Sequence, residues 1–295
     1  MNASIIQNHC LTDQQQKALN TLLMQCKQAD LNTIPTYPHL LRKKRPLPGN
    51  LLYFQNNKLL GFLAAFFFYN EACEITLMVS KPFRRQKIAT LMLKALIPLL
   101  ESQRITNVIF STPTCCNGDW LEKLGMVYKG SEYQMQCTHI ISPPINYDKF
   151  CVRMATHQDW ASLSAINEAC FPTKRPGENP DFQLLLKNKE YQLFIIEQKG
   201  KIVGKLHMQR LENTVRFTDI GILPIQQNQG IGSYLLVSCM SYVQKTYGLP
   251  ITLDVETSNR KALNLYLRQG FEMNNAYDFW IMPFKTLQTW IENNG

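Results

Sequence analysis

With 295 residues, 45% of them hydrophobic and 18% charged, the chain is long and apolar enough to bury two cores, which excludes wholesale disorder. Its net charge of +9 suits a polyanionic partner, but the one dense basic run, Arg42–Arg45, lies between Pro38 and Pro46 without the interleaved aromatics of a nucleic-acid platform. The most apolar run, Leu59 to Tyr69, is too short for a membrane-spanning helix and contains Gly61, so it reads as a buried strand.

In chain order, residues 4–10 are predicted as a first strand. A helix follows from Thr12 to Ala29, with Leu19, Leu22, Leu23 and Cys26 on one face. A hairpin turns at Gln55-Asn56-Asn57-Lys58, and Glu74–Val79 is a further strand. Lys87–Leu100 reads as an amphipathic helix, Asn107–Phe110 as a strand, and Trp120–Leu124 as a short helix closed by Gly125. The same order then returns. Phe150–Met154 is a strand, and Thr156 with Asp159 forms a capping box before a helix that faces inward with Leu163, Ile166 and Cys170. A hairpin at Gln198-Lys199-Gly200-Lys201 precedes the strand Val215–Leu223. The helix Gly232–Tyr247 stops at Gly248 and Pro250. Ile251–Glu256 is a strand, Asn259–Gln269 a helix, Met273–Phe284 the final strands, and Lys285–Glu292 a last helix.

Arg84 aligns with Gln227 at an offset of 143 residues and Gly125 with Gly270 at 145, which argues for a duplication. The break falls at the Pro-rich Ser142-Pro143-Pro144-Ile145-Asn146, giving domains 1–147 and 148–295. The nine cysteines form an odd, scattered set without CxxC spacing, and Met1–Ser4 lacks a signal-peptide pattern, so reduced thiols in a cytoplasm are expected.

The stretch Gln227-Asn228-Gln229-Gly230-Ile231-Gly232 joins an apolar strand to a helix. A Gly-rich turn of this kind leaves backbone N–H groups at the positive end of a helix dipole, a ready anion site. Further on, Asn259, Ala262, Leu265-Tyr266 and Gly270-Phe271 follow at helical spacing. Together these residues resemble the cofactor-binding core of the GCN5-related N-acetyltransferase (GNAT) superfamily. Its loop pattern is Gln or Arg, two residues, Gly, one residue, then Gly or Ala. The resemblance covers roughly residues 150–284 and implies an α/β class, with two tandem domains each built on a mixed, mostly antiparallel sheet flanked by helices. It also implies transfer of an acetyl group from acetyl-CoA to a primary amine.

On that resemblance, the backbone of Gln229 to Ser233, with Gln227 and Asn228 before it, holds the pyrophosphate, and Gly230, Ile231 and Gly232 open the helix. Ile222-Leu223-Pro224 runs beside the pantetheine arm, which Asn259 also touches. Tyr266 stands near the thioester sulfur as general acid; a phenol with a pKa of about 10 is protonated at working pH. By period two, Asp219 shares a strand face with Phe217 and Gly221, and Asp254 and Glu256 share a face of the neighbouring strand, so these carboxylates are expected at one cleft. Asp219 is the leading candidate to deprotonate the amine and Glu256 the alternative. The acceptor would be chosen by Phe171–Glu178 and by a last hairpin at Asn274–Asp278.

In the first copy the loop reads Arg84-Arg85-Gln86-Lys87-Ile88-Ala89, with Lys87 where a Gly is expected to let a phosphate approach. Tyr266, Asn259 and Asp219 correspond to Leu121, Thr114 and Thr76, so this copy is expected to be non-catalytic. Two other readings remain open: both copies bind acetyl-CoA, or the chain is a non-catalytic acyl-CoA-binding regulatory module. Neither motif identifies the amine, and neither sets the oligomeric state.

Overall fold

The computed structural model describes residues 3–114, 118–138, 149–171 and 190–294. The expected domain break at Ser142–Asn146 and the acceptor segment after Phe171 lie outside them. Two compact units form, one from Met1–Tyr133, Glu256–Ser258 and Asn275–Gly295, the other from Gln134–Val255 and Asn259–Asn274. In chain order the strands and helices are β1 (Ala3–Asn8), α1 (Asp13–Asp30), α2 (Pro38–Leu41), β2 (Asn50–Gln55), β3 (Lys58–Phe66), β4 (Ala72–Val79), α3 (Ile88–Ser102), β5 (Asn107–Pro113), α4 (Gly118–Lys123) and β6 (Val127–Cys137). They continue as β7 (Phe150–Met154), α5 (Trp160–Cys170), β8 (Tyr191–Gln198), β9 (Lys201–Arg210), β10 (Val215–Ile222), α6 (Ile231–Thr246), β11 (Ile251–Glu256), α7 (Arg260–Arg268), β12 (Glu272–Pro283) and α8 (Phe284–Asn294). Among the described residues no helix is long and apolar enough to cross a membrane.

In the first unit α1 begins with a reciprocal cap. Thr12 Oγ1 accepts the Gln15 N–H at 3.3 Å, and Gln15 Oε1 accepts the Thr12 N–H at 3.0 Å. Its buried face, Leu19, Leu22 and Cys26, packs with Leu52 and Phe62. Strands β1 to β4 pair antiparallel in sequence, and the β2–β3 turn places Asn56 and Asn57 at φ 49° and 61°, a left-handed pair that asparagine tolerates best among side-chain-bearing residues. β4 then runs parallel to β5 over four residue pairs, Ala72↔Asn107 to Ile75↔Phe110. Beyond Ile75 the two strands part. On the opposite sheet face α3 buries Ile88, Met92, Leu96 and Leu100 against Leu51, Leu63 and Ile75.

The second unit repeats this plan. β7 to β10 pair antiparallel in sequence, and β10 runs parallel to β11 only at Val215↔Ile251 and Arg216↔Thr252 before the strands separate. α6 buries Leu235, Leu236, Cys239, Met240 and Val243. Ahead of α5, the Asp159 carboxylate accepts the Thr156 N–H at 2.7 Å and the Thr156 side chain accepts the Asp159 N–H, the two halves of a capping box. Arg153 clamps Asp159 through both guanidinium nitrogens and bridges to Glu197.

The Arg153 guanidinium, helped by Thr156, holds the Asp159 carboxyl far below the usual range. A depressed carboxylate stabilises the fold above its unfolded pKa of about 3.9 and loses that contribution as pH falls toward the folded value. Asp159→Asn therefore lowers the melting temperature at pH 7, and the gap to wild type narrows as the melts are taken below pH ~4. A gap of equal size at both pH values would remove this ion pair as the cause.

The C-terminal segment departs from the sequence reading. Asn274–Asp278 is not a hairpin; it lies within one continuous strand, β12, whose residues from Tyr277 to Pro283 pair antiparallel with β5 from Pro113 to Asn107. Asparagine favours turns because its amide satisfies nearby backbone groups. Here Asn275 spends its amide on a distant backbone instead, accepting the Thr33 N–H at 2.8 Å and donating to the Thr33 carbonyl at 3.1 Å.

Candidate functional site

In the second unit β10 ends in a short 3-10 turn, Pro224–Gln226, and the chain then swings into α6. The Gln227 N–H donates to the Pro224 carbonyl at 3.3 Å, and its side-chain Nε2 reaches back to the Ile222 carbonyl at 3.0 Å. Asn228 and Gly230 sit at φ 63° and 79°, and Gly230 caps the 16-residue helix with no side chain bonded to its first N–H groups. Those unpaired donors and the helix dipole converge on the exposed loop, the electrostatics of an anion cradle. A Cβ on Gly230 would meet nothing within 4 Å, so glycine serves the positive φ here rather than a lack of room. At Gly232 a Cβ would make ordinary contact, 3.6 Å from Ile222 and 3.8 Å from Leu265, which places strand end, helix start and α7 together at this point.

Tyr266 follows Leu265 on α7. It is 7% exposed, its ring centroid lies 5.8 Å from that of Phe271, and burial pushes its phenol up to about 12. Gln269, one turn on, donates to the hydroxyl of Ser233 in the first turn of α6 at 3.1 Å, tying α7 to the loop helix. Asn259, expected beside the pantetheine arm, uses its Oδ1 to accept the Ala262 N–H at 3.1 Å, which makes it the N-cap of α7.

The three carboxylates do not share one environment. Strand period two fails at Asp219, because the β9–β10 register shifts between Thr218 and Gly221 and Asp219 adopts φ 48°, a bulge that re-aims its side chain. Its Oδ2 lies 3.2 Å from Nδ1 of His207 on β9. Asp254 is held by Arg216 at 2.7 Å, which commits it to an ion pair across the two strands. Glu256 is exposed, accepts the Ser258 hydroxyl at 3.3 Å, and falls with Ser258 in the first unit. His207, which meets Asp219, and Lys205 and Asn167, which follow it in a buried chain of contacts, were not among the sequence candidates. Their signal lies in the alternation of β9, which places Lys205, His207 and Gln209 on one face of a strand whose neighbours are apolar.

The loop of the first unit keeps the same backbone. The Arg84 N–H donates to the Lys81 carbonyl at 3.3 Å and Arg84 Nε to the Val79 carbonyl at 3.0 Å, matching Gln227. Arg85 and Lys87 take φ 60° and 62° where Asn228 and Gly230 take theirs. The lysine accepts the left-handed conformation, at about 1 kcal/mol, and the turn's backbone is kept. Between the parted ends of β4 and β5 lies a cavity of about 890 Å³. Arg84, Arg85 and Lys87 stand on its wall, with Leu77, Phe110 and Leu121 among its apolar lining. Ser111 Oγ and Thr112 Oγ1, also in the lining, are buried without a hydrogen-bond partner. Arg84 itself is clamped by Asp30, which keeps its guanidinium charged.

Comparison with known proteins agrees with this geometry. The model of the acetyltransferase (GNAT) family matches twice, at residues 17–119 and 160–271. A β-lysine N(6)-acetyltransferase of Methanococcus maripaludis is 28% identical over 138 residues, 44% of this chain and 50% of that protein. The chain therefore spans about half the length of that relative. A GCN5-related N-acetyltransferase from Sphaerobacter thermophilus superposes with a TM-score of 0.76 at 16% identity, covering 95% of each chain. A tandem GNAT protein from the clavulanic acid biosynthesis pathway, solved without AcCoA, gives a TM-score of 0.68 at 10% identity, covering 96% of this chain and 98% of its own. At such identities these structures speak for the shared fold.

Proposed function

Because the chain belongs to the acetyltransferase (GNAT) family, we propose that its second copy transfers an acetyl group from acetyl-CoA to a primary amine by direct attack. The observation that carries this reading is the parting of β10 and β11 after Arg216↔Thr252, with the Gly230 cradle at its head and buried Tyr266 on the helix that meets it. When bound, acetyl-CoA supplies the acetyl thioester. The N–H groups of Gln229 to Ser233 bind its pyrophosphate, and the free edge of Ile222 to Pro224 orients the pantetheine arm. Asp219 accepts the proton of the incoming ammonium, since an amine with a pKa near ~10 is mostly protonated at neutral pH. Tyr266 Oη donates a proton to the departing sulfur. A cationic acceptor fits the carboxylate at Asp219, and the name of the Methanococcus relative supports a small amine of the diamino-acid class.

A second reading is supported by the first unit's cavity: that copy also binds a CoA-type ligand and does not turn it over. Its two orphan hydroxyls suit an amide-bearing pantetheine chain. Leu121 stands where the acid would be, and Thr76, in place of the base, has its hydroxyl bonded to the Pro35 carbonyl at 2.7 Å.

One set of measurements tests both readings. A panel of primary amines (L-lysine, β-lysine, cadaverine, spermidine and a free N-terminal peptide) is assayed with acetyl-CoA by release of free thiol. CoA is titrated calorimetrically in parallel. Wild type is expected to turn over a panel member and to bind two CoA per chain. Gly230→Val, which forces a β-branched residue to positive φ, abolishes turnover and leaves one site; Lys87→Glu leaves turnover and weakens the other site. Full turnover in Gly230→Val sinks the first reading, and a single CoA per wild-type chain sinks the second.

A further inference from the structure

A buried polar chain runs through the second unit behind Asp219. Lys205 and His207 on β9 are 0% and 2% exposed, and Asn167 on α5 is 0% exposed. Lys205 Nζ donates to Asn167 Oδ1 at 3.0 Å, lies 3.0 Å from His207 Nε2, and sits 5.3 Å from the centroid of the Phe171 ring. A buried ammonium is tolerated only where hydrogen bonds and charge replace its water, and these groups supply part of that shell. His207 Nδ1 in turn faces the Asp219 carboxylate at 3.2 Å. With an ammonium at one ring nitrogen and a carboxylate at the other, one tautomer is selected: Nδ1 carries the proton toward Asp219, and Nε2 accepts from Lys205. The chain ends at the only member of this Lys–His–Asp set that reaches solvent appreciably; the Asp219 side chain is 25% exposed against 3% for His207.

Asp219 needs such a hold. A non-glycine residue at φ 48° in a bulge is strained unless its surroundings over-determine it. The bulge also frees its side chain from the alternation that would otherwise set its direction.

We propose that Lys205 and His207 are positioning residues for Asp219: Lys205 sets the tautomer of His207, and His207 Nδ1–H anchors carboxylate oxygen Oδ2, which fixes the orientation in which the carboxylate takes the proton of the amine. The inference rests on the reading of Asp219 as base and adds to it two residues that do not touch substrate. Their geometry makes the base a three-residue unit built across β9 and β10, with Asn167 of α5 as its far anchor.

The test compares Lys205→Met, His207→Leu, His207→Gln and Asp219→Asn, with the best-turned-over member of the amine panel as acceptor. Lys205→Met and His207→Leu are expected to lower kcat by about tenfold to a hundredfold while the KM for acetyl-CoA stays within twofold. His207→Gln, whose amide can still donate to Asp219, recovers most of the loss. Long-range ¹⁵N–¹H spectra of the imidazole show the Nδ1–H form of His207 in wild type and a tautomer mixture in Lys205→Met. Normal acetyl-CoA binding verifies that each variant is folded; should Lys205→Met not fold, the His207 pair and the wild-type spectrum decide. The inference is overturned by wild-type kcat in folded Lys205→Met and His207→Leu, by equal losses in His207→Gln and His207→Leu, or by an Nε2–H form in wild type. If those variants are silent while Asp219→Asn is impaired, positioning alone falls. If Asp219→Asn is itself silent, the reading of Asp219 as base falls and takes positioning with it.

Discussion

Tyr266→Phe is expected to lower kcat by about a hundredfold or more, with acetyl-CoA affinity and melting temperature close to wild type. The substitution removes one oxygen from a side chain that is 7% exposed and leaves its ring against Phe271, so packing survives. Burial has pushed the phenol up to about 12, in the direction that favours the neutral form. The donor therefore stays loaded across the working range, and Tyr266 itself imposes no basic limb on kcat below about pH 10. Steady-state thiol release from pH 6 to 10, wild type against variant, checks both statements. A variant with wild-type kcat would show that the sulfur takes its proton elsewhere and that Tyr266 is a packing residue of α7.

Asp219→Asn is expected to lower kcat/KM for the amine by about 10² to 10³-fold, the range that removal of a general base produces. The amide is nearly isosteric, so the bulge between Thr218 and Gly221 is kept while the proton acceptor is lost. The same substitution removes the negative partner of His207, so its effect falls on the amine rather than on the cofactor loop, which lies past Ile222. Raising the pH recovers part of the loss, because the amine then arrives deprotonated without help. Glu256→Gln run beside it decides between the two candidates: a loss in Glu256→Gln with none in Asp219→Asn would transfer the role. Asp254 is the least suited of the three, since its carboxylate is already committed to Arg216.

Much of this architecture was legible from local chemistry. Thr156 and Asp159 announce a capping box and form one. Asn56-Asn57 and Lys199-Gly200 announce hairpins, and all four residues adopt positive φ. Gln227 to Gly232 reads as an anion loop because a helix start, a left-handed residue and a Gly-rich turn are set by neighbours in sequence. Asn274-Asn275 misleads for the converse reason: the local preference for a turn is outweighed by seven residue pairs with β5, a partner more than 150 residues away.

The candidate base shows the same division. Sequence alternation puts Asp219 with Phe217 and Gly221, and that inference fails because a bulge inserts one residue into the count. Lys205 and His207 are visible as polar residues on an apolar strand, yet only their contact with Asn167 and Asp219 gives them a use.

Sequence by itself determined the duplication and the fold class, since both depend on residue types at short fixed spacings. It also pointed to Lys87 as a departure from the loop pattern, and the tertiary structure shows that this departure keeps the left-handed backbone of Gly230. Backbone dihedrals depend on what surrounds a residue as well as on its type: Lys87 caps α3 and Arg84 bonds the Val79 carbonyl, as Gly230 caps α6 and Gln227 bonds the Ile222 carbonyl. Likewise the cavity behind that loop, the orphan hydroxyls of Ser111 and Thr112, and the Lys205–His207–Asp219 chain arise where strands distant in sequence part or pair. No periodicity records such meetings, because burial and side-chain partners are properties of the packed chain.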